Sequence, residues 1–489
     1  MIDLQRITTS RNALTLASVP QGFAPLLLAD LTRAAKARTL YIAPDEAAMR
    51  AIADAVPFFA PELEILILPG WDCLPYDRAS PSVAVTSQRM STLQALQQPA
   101  KKKQLVVTTI GAVIQKYVTP FRIRQTGERL AAGREISRER LASLLQSNGY
   151  FRVDTVADAG EFAIRGSIVD LFPAGSEVGL RLDFFGDEIE SIRRFNPSDQ
   201  RSIDQVEHFD ILPAVEALMD EDAIKRFRVG YRERFGVTAT GDPLYQAVSE
   251  GRRLSGMDHW LPLFEERMAT IFDHVGADAL VIRDSGSIAA GQSRLDSITD
   301  YHENRVKAQA AEPGSYRPLP PEMLYLSSGE LDQLFDDNAA HLITPFAQPD
   351  SASVIDFGIA AARDFAPERT QKANVYEAVA AHLKSLHSKK TKTIIASYSI
   401  GARERLKGLL TDHGAPSIVD ADGWQQALGV AAGRTAMVVL PLDHGFSTPD
   451  IAVLSEQDML GDRLVRRQKR RQSADAFMAE LAALTPGDL

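Results

Sequence analysis

The sequence predicts an α/β protein: a parallel-sheet domain interrupted by an inserted α+β domain and followed by a second, small α/β domain. Short apolar strands alternate with helical stretches over the first 120 residues, the rhythm of a parallel sheet with crossover helices. Residues 126–213 are richer in β-branched and aromatic residues, which indicates antiparallel strands. Strands and helices alternate again after residue 392.

The individual elements follow from these patterns. In the first region we expect strands at 13–19, 39–44, 64–69 and 104–109, with helices at about 24–37 and up to about residue 59. Antiparallel strands are expected within 162–172 and 180–195, and later strands at 392–399, 435–442 and 450–456. Between them, 215–304 is mostly helical, and the Pro-rich 312–322 is a linker or a rigid surface strap.

These patterns divide the chain into five segments. The predicted segments are the first part of the parallel-sheet domain (1–124), the inserted domain (125–213), the mostly helical remainder of the first domain (214–345), the small α/β domain (346–460) and a basic helical segment (461–489).

Composition excludes several classes of function. The 489 residues are 45% hydrophobic and 24% charged, and no apolar run reaches the ~18 residues of a membrane span. The N-terminus lacks the basic and apolar regions of a signal peptide, which predicts a soluble cytoplasmic protein. We expect the chain to be a monomer. Cys73 is the only cysteine and the nine histidines are scattered, so no disulfide or metal site is expected. A net charge of −10 argues for protein partners over direct nucleic-acid binding.

Residues 17–24 occupy the first strand–loop–helix, where a nucleotide-binding protein of this topology carries G-x-x-x-x-G-K-[ST]. Only Gly22 fits that pattern, because Phe23 and Ala24 stand where a lysine should reach phosphate and a hydroxyl should hold magnesium. Pro20 also removes an N–H from the loop. The segment is either a degenerate nucleotide site or an ordinary strand, turn and helix, and both interpretations predict no ATP hydrolysis.

A hairpin centred on Arg181 and Phe185 is the candidate binding surface. Strand alternation places Leu180, Leu182 and Phe184 on one face and Arg181, Asp183 and Phe185 on the other. Gly186 and Asp187 supply the turn, and an exposed aromatic residue beside an arginine is typical of an interface hot spot.

Arg165, in the preceding strand, must pair or face outward because its neighbours are apolar. The alternative is that Arg165 and Arg181 only pair with Asp183 or Glu161 and that Phe185 packs under a loop.

Three segments carry a resemblance to a known family. Residues 70–96 (GWDCLPYDRASPSVAVTSQRMSTLQAL), 160–202 (beginning GEFAIRGSIVDLF) and 454–472 (LSEQDMLGDRLVRRQKRRQ) resemble the N-terminal half of bacterial transcription-repair coupling factors (Mfd), in order along nearly the whole chain. The resemblance implies a UvrB-like module with a degenerate P-loop, an inserted domain that binds UvrA, and a further α/β domain of unknown role. It implies that Arg165, Arg181 and Phe185 contact UvrA and that Gly22, Phe23 and Ala24 mark a lost ATP site.

The same resemblance bears on what this chain should not do. The segment around Trp71, Pro75 and Tyr76 is too short and too poor in tyrosine for the hairpin with which UvrB probes damaged DNA. The family continues into a domain that grips RNA polymerase and an ATP-driven DNA translocase, so polymerase, DNA, ATP and magnesium are expected only for those parts. An intramolecular contact with the motor half is also implied.

Two alternatives to a UvrA-recruiting role stay open. One is a UvrB-like ATPase or helicase, and the other is an autoregulatory clamp on the motor. The basic run at the end of the chain is a solvated helix or a nucleic-acid patch, and charge runs are usually solvated. Its members are Arg463, Arg466, Arg467, Lys469, Arg470 and Arg471.

Overall fold

A computed structural model describes residues 4–236, 241–311 and 316–461 of the chain. The predicted basic segment (461–489) lies outside the described residues except for residue 461, and part of the Pro-rich strap also lies outside them.

The first domain begins with strands and helices in regular alternation. Its elements up to residue 125 are α1 (Leu4–Thr9), β1 (Thr15–Ala17), α2 (Ala24–Ala34), β2 (Thr39–Ala43), α3 (Glu46–Phe59), β3 (Glu64–Leu68), α4 (Val83–Leu96), β4 (Gln104–Thr109), α5 (Ile110–Ile114) and α6 (Pro120–Gln125). The four predicted strands and both predicted helices are confirmed. β2 and β4 are buried along their whole length, as expected for the central strands of a parallel sheet.

The inserted domain is mostly antiparallel. It contains β5 (Glu128–Ala131), α7 (Arg138–Ser147), β6 (Phe151–Arg152), β7 (Glu161–Arg165), β8 (Ile168–Leu171), β9 (Gly179–Phe185), β10 (Glu188–Phe195), β11 (Ser202–Val206) and β12 (His208–Ile211). Six of these strands form one sheet in the order β11-β10-β9-β8-β7-β6, and β5 pairs with β12 where the chain enters and leaves the domain. The domain has its own core, which includes Leu171, Leu182 and Ile192.

The chain then returns to the first domain. The elements here are α8 (Glu221–Phe235), α9 (Pro243–Ser249), α10 (Leu261–Phe264), α11 (Ile271–Val275), β13 (Leu280–Asp284), α12 (Gly286–Ala311), α13 (Pro321–Leu324), α14 (Ser328–Asp337) and β14 (His341–Ile343). The described part of the Pro-rich strap lies against the domain, because the Trp260 indole donates to the Arg317 carbonyl at 3.0 Å and Leu319 is buried.

The last region completes one sheet and builds another. It consists of β15 (Val354–Asp356), β16 (Ala360–Ala361), α15 (Ala366–Thr370), α16 (Val375–Ser388), β17 (Lys392–Ser397), α17 (Ile400–Asp412), β18 (Ile418–Asp420), α18 (Trp424–Leu428), β19 (Thr435–Val439), β20 (Phe446–Ser447), β21 (Ile451–Ser455) and α19 (Glu456–Leu460). The three strands predicted after residue 392 correspond to β17, β19 and β21.

The first sheet has seven strands, all parallel, in the order β15-β1-β14-β13-β2-β4-β3. β15 is its edge strand and pairs with β1, with Thr15 opposite Val354. The boundary predicted at residue 346 is therefore too early, because residues 354–356 extend the first sheet. The small domain begins after this strand, with a six-stranded sheet in the order β16-β20-β21-β17-β19-β18.

The first domain and the small domain share one hydrophobic core. Leu16 and Leu27 of the first domain belong to the same buried cluster as Ala436 and Val453 of the small domain. The inserted domain instead has a hydrophobic core of its own, formed on one side of its own sheet.

Candidate docking site

Two tight hairpins build the candidate site on the inserted domain. Arg165 pairs with Ile168 and Phe185 pairs with Glu188, so each hairpin turns through two residues. The first residue of each turn is a glycine with positive φ, +62° at Gly166 and +63° at Gly186, as such turns require.

Strand β9 alternates as the sequence predicts. Leu180, Leu182 and Phe184 lie in the core, at most 5% exposed. The opposite side of the sheet, here called the outer face, carries Arg181 and Phe185, and the Phe185 side chain is 80% exposed. Burial of an aromatic ring is favourable, so a ring held open to water is available to a partner.

Arg165 and Arg181 converge on one carboxylate, that of Asp170 in β8. Arg181 donates from Nε to Oδ1 at 2.6 Å and from Nη2 to Oδ2 at 2.9 Å, and Arg165 donates from Nη2 to Oδ2 at 2.5 Å. Asp183 and Glu161, which the sequence offered as alternative partners of the two arginines, are bonded elsewhere. Asp183 pairs with Arg193, and Glu161 accepts the N–H groups of residues 157 and 158. Asp170 itself is fully buried.

Arg181 and Arg165 differ in exposure. The Arg181 side chain is 17% exposed, and its guanidinium lies 4.9 Å from the centre of the Phe195 ring. The hydrogen bond to Asp170 raises the pKa of Arg181 above its usual range, so the residue stays charged. The Arg165 side chain is 50% exposed, so it is the more accessible of the two arginines.

Sequence reasoning missed Asp170. Strand register places it opposite Arg181, and Ile168, two residues earlier on the same face, lies opposite Arg165. A carboxylate in the apolar run IVDLF was the available signal, since a buried charge must find a partner.

The loop of residues 18–23 belongs to the first domain and is covered by the small domain. Phe23 is 7% exposed, and its ring centre lies 5.2 Å from that of Phe446 and 6.1 Å from that of Phe357. A Cβ added to Gly22 would lie 2.0 Å from the carbonyl oxygen of His444, so the small domain's backbone rests on the loop.

A cavity of about 390 Å³ remains beside this loop, at the carboxyl ends of the parallel strands. Gly22, Ala24, Asp284 and Asp443 line it, and among the described lining residues none is lysine or arginine. Burial raises the pKa of Asp284. A lining with two aspartates and no lysine or arginine offers phosphate groups little electrostatic attraction, so these residues fit ATP poorly.

The remaining predicted features are also located. Trp71 and Tyr76 are 9% and 2% exposed and belong to the first domain's core. Within residues 4–236, 241–311 and 316–461, no group of three histidine, cysteine or acidic side chains could hold a metal ion. None of the described helices is both long and apolar enough to cross a membrane.

Before any relative is considered, the fold defines a class of protein: a parallel-sheet α/β chain with an inserted, mostly antiparallel domain that presents a charged and aromatic patch. A family model of the UvrB interaction domain matches residues 129–216, and a model of the MFD D3 domain matches residues 386–459. The first match coincides with the inserted domain, and the second lies within the small domain.

Curated relatives extend the match to nearly the whole chain. The chain is 31% identical over 471 residues to a transcription-repair-coupling factor of Escherichia coli (strain K12), covering 94% of this chain and 39% of that protein. A factor of the same name from Haemophilus influenzae is 28% identical, covering 96% and 40%, and one from Myxococcus xanthus is 28% identical, covering 95% and 40%. The chain corresponds to the N-terminal part of a transcription-repair-coupling factor, and it spans about two-fifths of the length of these relatives.

Proposed function

We propose that this chain is a recruitment module that binds UvrA through the outer face of its inserted domain and so brings excision repair to a stalled RNA polymerase. The mechanism is association, not catalysis. The contact with RNA polymerase, the movement along DNA and any contact with a motor belong in this proposal to the remainder of a full-length factor.

The observation that carries the proposal is the exposed Phe185 ring on a domain that matches the UvrB interaction domain. Aromatic and arginine side chains are the residues that most often dominate binding energy at protein interfaces. Arg165 and Arg181 lie on the same face as Phe185 and supply charge-assisted donors beside the apolar ring. The patch therefore combines an apolar anchor with directional polar contacts.

Binding of purified UvrA to single variants tests the proposal. Phe185→Ala, Arg181→Glu and Arg165→Glu should each weaken the complex by about 2 kcal/mol or more, because each removes a central contact. Isothermal titration calorimetry measures the loss, and circular dichroism verifies the fold of each variant.

Two variants serve as matched controls. Phe346→Ala removes a ring that is 71% exposed in the loop between β14 and β15. Arg50→Glu reverses the charge of an exposed arginine on α3 that pairs with Glu46. Both should leave UvrA binding unchanged. Full affinity in all three patch variants would refute the docking site.

We further propose that this chain hydrolyses no ATP, binds no metal or nucleotide, and works as a cytoplasmic monomer. Phe23 and Ala24 offer neither the ammonium nor the hydroxyl that the reaction requires, and the cavity beside them carries Asp284 and Asp443. A phosphate-release assay with and without DNA tests this, and robust release would favour the UvrB-like ATPase alternative.

A further inference from the structure

Asp170 is the one carboxylate that both arginines of the patch share. We infer that Asp170 is the positioning residue of the docking site and that the site takes a partner segment carrying a carboxylate close to an apolar side chain. This inference rests on the proposed function, since it concerns how the same patch recognises UvrA.

The hydrogen bonds of Asp170 show how it orients the two arginines. Its two oxygens accept three N–H groups, two from Arg181 and one from Arg165. Arg181 is further restrained by the Phe195 ring beneath it. The side chain of Arg165 has no other anchor within the described residues, so its orientation depends on Asp170.

The arginine donors that remain define the chemistry of the ligand. A guanidinium carries five N–H groups in a rigid fork, and Arg165 uses only one atom, Nη2, toward Asp170. Its Nε and Nη1 groups have no partner in the part of the chain that the structure describes, and the side chain is half exposed. Two arginines and one aspartate leave a net charge of +1, and a planar carboxylate is the group that a guanidinium fork binds best.

Sheet geometry gives the spacing of the partner's two groups. Arg165 in β7 pairs with Ile168 in β8, and Ile168 pairs with Asp183 in β9. Phe185 lies two residues after Asp183 in β9, on the same face. Two strand spacings across and two residues along the strand separate Arg165 from Phe185 by roughly 12 Å. An extended partner segment spans this distance in about four residues, so the carboxylate and the apolar side chain should be that close in sequence.

Association and dissociation rates of Asp170→Asn with purified UvrA test the positioning role. The variant keeps the shape of the side chain but loses its charge, so Arg165 is no longer held and the dissociation rate should rise at least tenfold. The association rate should not fall, because the patch becomes more positive while the proposed partner group is negative. A purely structural role would lower the fraction of competent protein and leave both rates unchanged.

Asp204→Asn is the matched control. Asp204 pairs with Arg194 through two hydrogen bonds in the same sheet but on the opposite face from Arg181, so its rates should equal those of the wild type. An Asp170→Asn dissociation rate equal to that of the control would overturn the positioning role.

A second comparison covers the case in which Asp170→Asn does not fold. Arg181→Gln and the double variant Asp170→Asn, Arg181→Gln differ only in whether Arg165 keeps its carboxylate, and the double variant leaves no buried carboxylate unpaired. The double variant should dissociate several-fold faster than the single one. Equal rates would refute the role of Asp170 independently of the first test.

The carboxylate on the partner is tested by salt and by Arg165→Lys. The association rate with wild type should fall as NaCl rises from about 50 to about 300 mM, and the lysine variant, which keeps the charge but loses the fork, should dissociate roughly tenfold faster. A salt-independent association rate, or an unaltered lysine variant, would overturn the carboxylate assignment.

The outcomes separate the two proposals. If wild type fails to bind UvrA, the proposed function fails. If wild type binds and Phe185→Ala weakens the complex while Asp170→Asn behaves like Asp204→Asn, only the positioning role fails.

Discussion

Phe23, at the start of α2, and Phe185, the last residue of β9, have opposite surroundings. The Phe23 ring is 7% exposed and packs against Phe357 and Phe446, whereas the Phe185 ring is 80% exposed at the tip of a hairpin. The first position lies in a loop where a nucleotide would be expected, and the second lies on a sheet face where nothing covers it in the described chain.

The contrast shows two uses of an aromatic side chain. At the loop, the Phe23 ring packs into the core that joins the first domain to the small domain, so this ring contributes to stability. At the hairpin, the Phe185 ring is exposed and makes little contribution to the core, and the proposed function assigns it to binding. Mutations at the two rings should therefore affect different measurements.

The largest expected effect comes from removing each ring in turn. Phe23→Ala should lower the free energy of unfolding by about 3–5 kcal/mol, because it leaves a cavity in the shared core. Phe185→Ala should change it by less than about 0.5 kcal/mol, since an exposed side chain loses no packing. Urea denaturation followed by circular dichroism measures both. Equal destabilisation by the two variants would show that the two rings contribute alike to stability.

A smaller effect is expected at Gly22, where the loop meets the small domain. Gly22→Ala should destabilise the chain by about 1–3 kcal/mol, because its Cβ would lie 2.0 Å from the His444 carbonyl oxygen. Gly408→Ala, in α17 with nothing within 4 Å of the added Cβ, is the control and should be neutral or stabilising by up to about 1 kcal/mol. A neutral Gly22→Ala would mean that the small domain does not rest on the loop in solution.

Local patterns predicted much of the fold. Alternating apolar runs predicted the central strands of the parallel first sheet and of the mixed sheet of the small domain, and the period of two along β9 placed Leu182 inside and Phe185 outside. These features depend on residues close in sequence, where periodicity is informative.

Features that depend on distant pairing were not readable. The short β15 joins β1 across more than 300 residues, which moved the boundary predicted at 346, and the cover over Gly22 comes from His444. Asp170 was missed although its partners lie close in sequence, because its pairing depends on the register between β8 and β9 and not on periodicity within one strand. The roles of Arg165, Arg181 and Phe185 in binding remain predictions.

The smallest expected effect is a pH dependence of stability that the affinity for UvrA should not share. His259 and His274 are buried in the first domain, and burial lowers the pKa of each to about 4. The unfolded chain, with histidine pKa values near 6.5, binds more protons as pH falls, so the stability that these residues contribute is complete above about pH 6.5 and is lost toward pH 4.

Between pH 7 and pH 6 the two histidines together should cost about 1 kcal/mol of stability, measurable as a lower urea midpoint. The exposed His208→Gln variant should keep this dependence, and His274→Gln should remove about half of the part that His259 and His274 contribute. UvrA binding should be the same at both pH values, because the arginines of the patch keep their charge and the histidines lie outside it. An affinity that falls in parallel with the midpoint would show that the patch depends on the first domain's core, and the separation between the closed loop and the open hairpin would then not hold.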